Sequence, residues 1–155
     1  MPQLTKGGKF VFGLCIIKPD FRIQLPQQTI SEYELTRDDK VFLFTGSKIT
    51  GGFCVTSKAL LEPSKLSHIL TDCPQLSGYE LEPCEFIRYK GRGYCWANLD
   101  TCGAVHLTRE ALSYLDLFTH NELLCIRSSN IAFTMGAKGP LLDKALCFQG
   151  KIEHY

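Results

Sequence analysis

The stretch FRIQLPQQTISEYELTRDDKVFLF, residues 21–44, predicts a strand, a short helix and a second strand. Its early residues RIQL alternate polar and apolar side chains, which is typical of a half-buried strand. Pro26 lacks an amide hydrogen, so it ends this strand and suits the first turn of a helix. A short amphipathic helix is predicted from the spacing of Ile30, Tyr33 and Leu35. The apolar run VFLF then predicts a buried strand.

Further strands are predicted on both sides of this stretch. KFVFGLCII precedes it as an apolar strand, and TGSK follows it as a turn. After the turn, a strand is predicted from Ile49 to Val55. The predicted order is therefore β-β-α-β-β.

A second stretch, GAVHLTREALSYLDLFTHNELLCI from residue 103, repeats the hydrophobic pattern of the first. Leu25 and Leu107 define the offset, 107 − 25 = 82, which holds without a gap from 21/103 to 49/131. Each apolar residue of the first copy except Phe21 faces an apolar residue of the second. GYCWANL stands where KFVFGLCII precedes the first copy.

One such unit is too small to bury a core, so two copies are expected to pack together. We predict a mainly β protein with short helices, an α+β fold. The expected boundaries are repeat 1 at 8–56, a helical and strand connector at 57–92, repeat 2 at 93–135, and a tail with a short helix at 136–155. The connector is expected to be helical over TSKALLEPSKLSHIL, with a break at Pro63.

Composition excludes several classes of protein. The chain has 155 residues and a net charge of +1, which counts mildly against a typical nucleic-acid binder. It has no apolar run of membrane-spanning length and no recognisable signal peptide, so a cytoplasmic protein without a membrane partner is expected.

The eight cysteines include no Cys-x2-Cys pair. They are expected to be buried thiols, with no metal and no cofactor.

No catalytic constellation is recognisable in the sequence. The four histidines fall in unrelated contexts, and no Gly-x-Ser-x-Gly, P-loop or His-Glu-x-x-His pattern occurs. TGSKITGGF lacks the strand-loop-helix setting of a phosphate-binding loop, and a turn is the better interpretation. We therefore expect a protein that is not an enzyme and has no catalytic residues.

The order of polar-apolar strand, proline at the helix start, short helix and L-x-x-x-D-x-V resembles the AbrB/MazE/SpoVT swapped-hairpin family. The residues that carry the resemblance are Ile23, Leu25, Pro26, Ile30, Leu35, Asp39 and Val41. The resemblance implies two tandem β-β-α-β-β swapped-hairpin repeats that form an intramolecular pseudo-dimeric barrel. It also implies a DNA-binding face near the two-fold axis, with basic residues in the first loop of each repeat.

Two such units in one chain of this length resemble the MraZ arrangement, in which each repeat carries Asp-x-x-x-Arg before its second strand. Here each copy keeps half of that motif. KPDFR keeps Arg22 but has Lys18 in place of the aspartate, and DTCGA keeps Asp100 but has Ala104 in place of the arginine.

The resemblance predicts a DNA-binding transcriptional regulator, and phosphate contacts require clustered cations. The candidate DNA-binding residues are Lys6, Lys9, Lys18, Arg22, Gln24, His106 and Arg109. The second loop, LDTCGA, contains no cation, so two chains presenting the first copy would restore the symmetry of operator binding. We therefore expect a homo-oligomer that binds DNA.

Two alternatives stay open. RYKGRGY places Arg88, Lys90 and Arg92 at alternate positions, as a second phosphate-contacting stripe or, the favoured interpretation, as a charged edge strand. The chain could also keep the fold but act as an antitoxin-like protein-interaction or oligomerisation module, because fold does not fix function. The terminal QGKIEHY is short for wrapping a toxin.

Overall fold

The computed structural model describes residues 3–4, 8–148 and 150–155. The strands are β1 Val11–Ile16, β2 Arg22–Gln24, β3 Lys40–Thr45, β4 Phe53–Thr56, β5 Ile87–Tyr89, β6 Arg92–Leu99, β7 Ala104–His106, β8 Glu122–Arg127 and β9 Phe133–Gly136. The helices are α1 Gln27–Glu32, α2 Lys58–Leu61, α3 His68–Asp72, α4 Pro74–Ser77, α5 Arg109–Tyr114 and α6 Pro140–Leu146, with a 3-10 turn at Leu35–Arg37.

The strands form one antiparallel sheet in the order β1-β8-β9-β4-β3-β6-β7-β2, and β5 pairs with β6 outside this path. Its two end strands, β1 and β2, are consecutive in the chain. The Lys18 amide in the loop between them donates to the Arg22 carbonyl at 3.0 Å. The sheet is therefore a nearly closed barrel with a few short helices, and the prediction of a mainly β fold is confirmed at this level.

The strand registers preserve the offset found in the sequence. Gly13 of β1 lies opposite Cys125 of β8, and Cys95 of β6 lies opposite Leu43 of β3. The differences 95 − 13 and 125 − 43 both equal 82. In the β2–β7 ladder, Ile23 lies opposite Val105, again 82 positions away.

The gapless alignment to Ile49 and Ile131 is wrong beyond β3 and β8. The hairpin loop 46–52 has seven residues, whereas the corresponding loop 128–132 has five. The predicted strand from Ile49 begins instead at Phe53, and Ile49 is 68% exposed in the longer loop. Across β4 and β9 the offset is 80, with Cys54 opposite Thr134.

The core has an interior and two outer layers. Buried side chains from both copies fill the barrel interior, among them Ile23, Leu43 and Phe133. The connector helices α2–α4 cover outward-facing residues such as Trp96, and α6 covers others such as Ile126. The run VFLF is fully apolar because both faces of β3 are buried.

The buried-thiol prediction is confirmed for six cysteines and wrong for Cys102 and Cys147, which are exposed. All eight are free, and six of them are buried, as expected of thiols that pack like small hydrophobes. Within the described segments, no helix is both long enough and apolar enough to cross a membrane.

RYKGRGY is a hairpin and not a single strand. Lys90 and Gly91 form its turn with φ values of 49° and 83°, between β5 and β6. Arg88 and Arg92 therefore belong to different strands, and the expectation that three cations share one strand face is wrong. In the described sheet, β5 is an edge strand that pairs with β6 alone.

Candidate nucleic-acid interface

The loop between β1 and β2 is a tight turn with a strained residue. The Phe21 amide donates to the Lys18 carbonyl at 2.8 Å, and the Lys18 amide donates to the Arg22 carbonyl at 3.0 Å. Phe21 has a φ of 69°, which is uncommon for a bulky residue. The turn projects Lys18 and Arg22 from the same end of β2.

The loop between β6 and β7 has the same hydrogen-bonded form. The Gly103 amide donates to the Asp100 carbonyl, and the Asp100 amide donates to the Ala104 carbonyl, each at 3.0 Å. Gly103 has a φ of 84° at the position equivalent to Phe21. The two loops thus share a backbone and differ in side chains.

The ladder of β2 and β7 forms a two-stranded ribbon between these loops. Ile23 is fully buried in the barrel, so its neighbours Arg22 and Gln24 face outward. Arg22 lies opposite His106 on β7. The predicted side chains Arg22, Gln24 and His106 are therefore brought together on one surface.

An acid that the sequence analysis missed accompanies Arg22. The Arg22 Nε lies 2.6 Å from the Asp20 Oδ2, and both side chains are about half exposed. Burial raises the pKa of Asp20, but hydrogen bonds from the backbone and side chain of Arg22 outweigh it and hold this pKa below its ordinary value. The D-x-R spacing in the loop was the signal that could have identified this pair.

The second loop is organised by Asp100. Its Oδ1 accepts the amides of Cys102 and Ala104 at 2.9 and 3.0 Å, and its Oδ2 lies 2.8 Å from the His106 Nε2. The Ala104 amide and then the His106 side chain lower the pKa of Asp100. The His106 side chain therefore forms a hydrogen bond with the acid of the loop that precedes its strand.

Gln24 is engaged in the same ribbon. Its Nε2 donates to the Cys102 carbonyl at 2.8 Å and to the Leu25 carbonyl at 3.2 Å. The side chain therefore ties the end of β2 to the second loop. This contact positions the loop. It also occupies the Gln24 side-chain amide, which would otherwise be free to hydrogen-bond a base.

Arg109, the first residue of α5, completes the cation group. Its guanidinium lies over the Phe21 ring, 5.6 Å from the centroid, so it flanks the β1–β2 loop. Lys18 and Arg22 belong to the loop that carries Phe21, so Arg109 adjoins the segment that holds both. We call these three residues the cation group.

Lys9 does not belong to this group. It precedes β1, whereas Lys18 follows it, and a six-residue strand spans roughly 20 Å. Lys9 lines a separate cleft with Arg92 and Ser128. Lys9 therefore lies apart from the Arg22 surface, and its contact with DNA stays a prediction; Lys6 lies outside the described residues.

The other side of the ribbon is acidic. A cleft of about 470 Å³ between the α1 end and the β6–β7 loop is lined by Asp38, Asp39 and Asp100, with Arg37 beside them. The Lys40 Nζ lies 2.9 Å from the Asp39 Oδ1. The electrostatic character of the ribbon surface therefore changes from one side to the other.

No protein-family model matches the chain, and no curated protein matches it. Among the described residues, no three His, Cys, Asp or Glu side chains come together as metal ligands.

Proposed function

We propose that the chain is a cytoplasmic, non-catalytic DNA-binding transcriptional regulator of the AbrB/MazE/SpoVT swapped-hairpin type. In this proposal, two tandem β-β-α-β-β repeats, arranged as in MraZ, fold into an intramolecular pseudo-dimeric barrel. The cation group and the outward face of the ribbon contact DNA.

The exchange of strands between the two halves supports the repeat proposal. β1 pairs with β8, and β6 pairs with β3, so each first strand bonds to the third strand of the other repeat. The shared offset of 82 between these ladders is what an internal two-fold axis requires. Such an axis passes between Ile23 and Val105 on one side and between Cys54 and Thr134 on the other.

One observation carries the DNA proposal: Arg109 packs over Phe21, in the loop that bears Lys18 and Arg22 at the end of an exposed two-stranded ribbon. Phosphate contacts supply most sequence-independent affinity, and they require such a cluster. A two-stranded ribbon also has the dimensions to enter a major groove. In this arrangement the three cations contact phosphates, and Gln24 holds the ribbon in shape.

The acidic side of the ribbon limits how much DNA one chain can contact. Asp38, Asp39 and Asp100 repel phosphate, so one chain offers one cationic half-site. Two chains related by a two-fold axis would offer two half-sites on a palindromic operator. Homo-oligomerisation is therefore part of the proposal.

The test is duplex affinity as a function of salt, for the wild type and for Lys18→Ala/Arg22→Ala. Removing one cation that touches a phosphate is expected to reduce the slope of log K against log salt by about 0.9. The matched control is Lys65→Ala/Lys144→Ala, which removes the same charge from exposed positions elsewhere. The proposal fails if no duplex binds near 50 mM salt, or if both variants change the slope equally.

The second candidate is a protein-interaction or oligomerisation module with the same fold. The ion pair of Arg22 with Asp20 favours it, because the carboxylate reduces the positive charge that Arg22 offers to a phosphate. Sedimentation of the free protein separates the two candidates. A stable oligomer with no affinity for DNA at low salt would support the module, and its dissociation by Arg22→Ala would assign the ribbon to the interface.

A further inference from the structure

Two clefts of the barrel occupy equivalent positions and have different linings. The first, of about 470 Å³, is lined by Gln27, Ile30, Thr36 and Gly103 together with the acids described above. We call it the Gln27 cleft. Each is built from the helix of one half and the first loop of the other half.

The second cleft, of about 600 Å³, has Arg109, Leu112, Phe118 and Phe21 at the corresponding positions, 82 residues away. We call it the Arg109 cleft. Glutamine is replaced by arginine, threonine by phenylalanine and glycine by phenylalanine. The cleft has the size of a small-ligand site, and its lining combines apolar side chains with Arg109 and Asp116.

Phe21 is held in the Arg109 cleft at the expense of backbone strain. Its φ of 69° is a conformation that disfavours side chains with a Cβ by roughly 1–2 kcal/mol, and glycine occupies the same conformation at position 103. The turn is the same as the one at Gly103, so its geometry sets this φ. It places the Phe21 ring against Arg109 as a wall of the cleft.

Phe118 is the second aromatic wall, and it is 67% exposed. Its backbone is fixed, because its amide donates to the Asn121 Oδ1 at 2.8 Å. A single exposed aromatic is ordinary on a protein surface, but at the rim of a cleft it adds apolar contact area for a ligand. Phe118 therefore presents exposed apolar surface at the rim of the cleft.

Arg109 supplies the polar end. It forms no salt bridge within the described part of the chain, and its guanidinium lies over the Phe21 ring. A guanidinium stacked in this way keeps its planar fork of donors free for a carboxylate. Asp116 also lines the cleft and disfavours a ligand with a second negative charge.

We propose that the Arg109 cleft binds a small aromatic monocarboxylate, whose ring packs against Phe21 and Phe118 and whose carboxylate pairs with Arg109. If the proposed function holds, the same arginine is shared with DNA. Such a ligand would then lower the affinity for DNA by competition, and it would act as an effector.

The direct test is a titration of the ¹⁵N-labelled wild-type protein with phenylacetate, in the absence of DNA. Saturable shifts are expected at Phe21, Arg109 and Phe118, with none centred on Gly103. Phenylacetamide, which has the same ring and no charge, is expected to bind at least about tenfold more weakly, because it lacks the charge-assisted hydrogen bonds.

Two variants take their residues from the equivalent cleft. Arg109→Gln and Phe118→Thr are each expected to weaken phenylacetate binding, the first by at least about tenfold. Arg37→Gln in the Gln27 cleft is the charge-matched control, and it is expected to leave the dissociation constant unchanged. Both Arg109 and Phe118 are exposed, so these variants should keep the fold, which the dispersion of the same spectra reports.

The proposal is overturned if the wild type gives no saturable shifts, if the amide binds as tightly as the acid, or if Arg109→Gln leaves binding unchanged. Phenylacetate binding in a protein that does not bind DNA would support the cleft and contradict the proposed function. DNA binding without phenylacetate binding would support the proposed function and contradict the ligand-binding cleft.

Discussion

Gly52 precedes β4 at a point where two backbones meet. Its φ is +62°, and a Cβ added there would lie 1.9 Å from the Met135 carbonyl oxygen on β9. Gly52→Ala is therefore expected to lower the free energy of unfolding by about 3 kcal/mol, from backbone strain and overpacking together. Urea denaturation measures the loss.

Gly91→Ala is the matched control for Gly52→Ala. Gly91 has a φ of +83°, but an added Cβ would meet no atom within 4 Å. The expected loss is about 1 kcal/mol, from the backbone alone. Equal losses in the two variants would show that the approach to β9 is not tight.

Asp100 predicts a pH dependence of stability. The Ala104 amide and the His106 side chain hold its pKa below the ordinary value of 3.8. A lowered folded-state pKa stabilises the protein above the unfolded-state pKa, and this stabilisation disappears as the pH falls through the folded-state value.

The comparison for Asp100 is the unfolding free energy of the wild type minus that of Asp100→Asn. This difference is expected to be constant above about pH 5 and to shrink as the pH falls below 4. Urea denaturation over this range checks it. A difference that stays constant down to pH 2 would contradict the role of the carboxylate.

For single residues, the sequence predicted which way side chains face but not their hydrogen-bond partners. Alternation in RIQL correctly predicted that Arg22 and Gln24 face away from the buried Ile23. The partner of Gln24, the Cys102 carbonyl, lies 78 positions away and depends on how the two halves pack. No local pattern could have revealed it.

Among the elements, α5 has a clear N-terminal cap. Thr108 Oγ1 accepts the Ala111 amide at 3.1 Å. Thr108→Ala is expected to lower the free energy of unfolding by about 1 kcal/mol, which thermal or urea denaturation can resolve.

Ser113→Ala is the control for Thr108→Ala, because Ser113 is exposed inside the same helix. Its effect is expected to stay within about 0.5 kcal/mol. If the two variants lose the same stability, the cap at Thr108 contributes nothing beyond helix propensity.

Element types were predictable where the hydrophobic period was clear, as in the strand at Lys40–Thr45. The helix after Pro26 also formed, but it ends at Glu32, so Tyr33 and Leu35 lie outside it.

The loops were not predictable. Ile49 and Ile131 are identical residues in the sequence alignment, but the two hairpin loops differ in length by two residues. Lys90 continued an alternating pattern, yet it adopts a positive φ in a turn. Turn geometry decided both cases.

For the whole molecule, the sequence showed which residues are cationic but not how far apart they lie. Lys9 and Lys18 are close in the chain, and β1 separates them by its full length. Asp38 and Asp39 are distant from Asp100 in sequence, and the barrel brings all three to one cleft. The electrostatic asymmetry of the ribbon is therefore a property of the closed sheet.

Mapping the contact surface tests the claim that the ribbon and its cation group contact DNA. The measurement is the change in backbone amide chemical shifts of the ¹⁵N-labelled protein when a short duplex is added at low salt. We predict that the largest changes fall at 18–24 and 106–109, and that added salt reverses them. Changes centred on Lys9 and Arg92, or no changes at any amide, would contradict the claim.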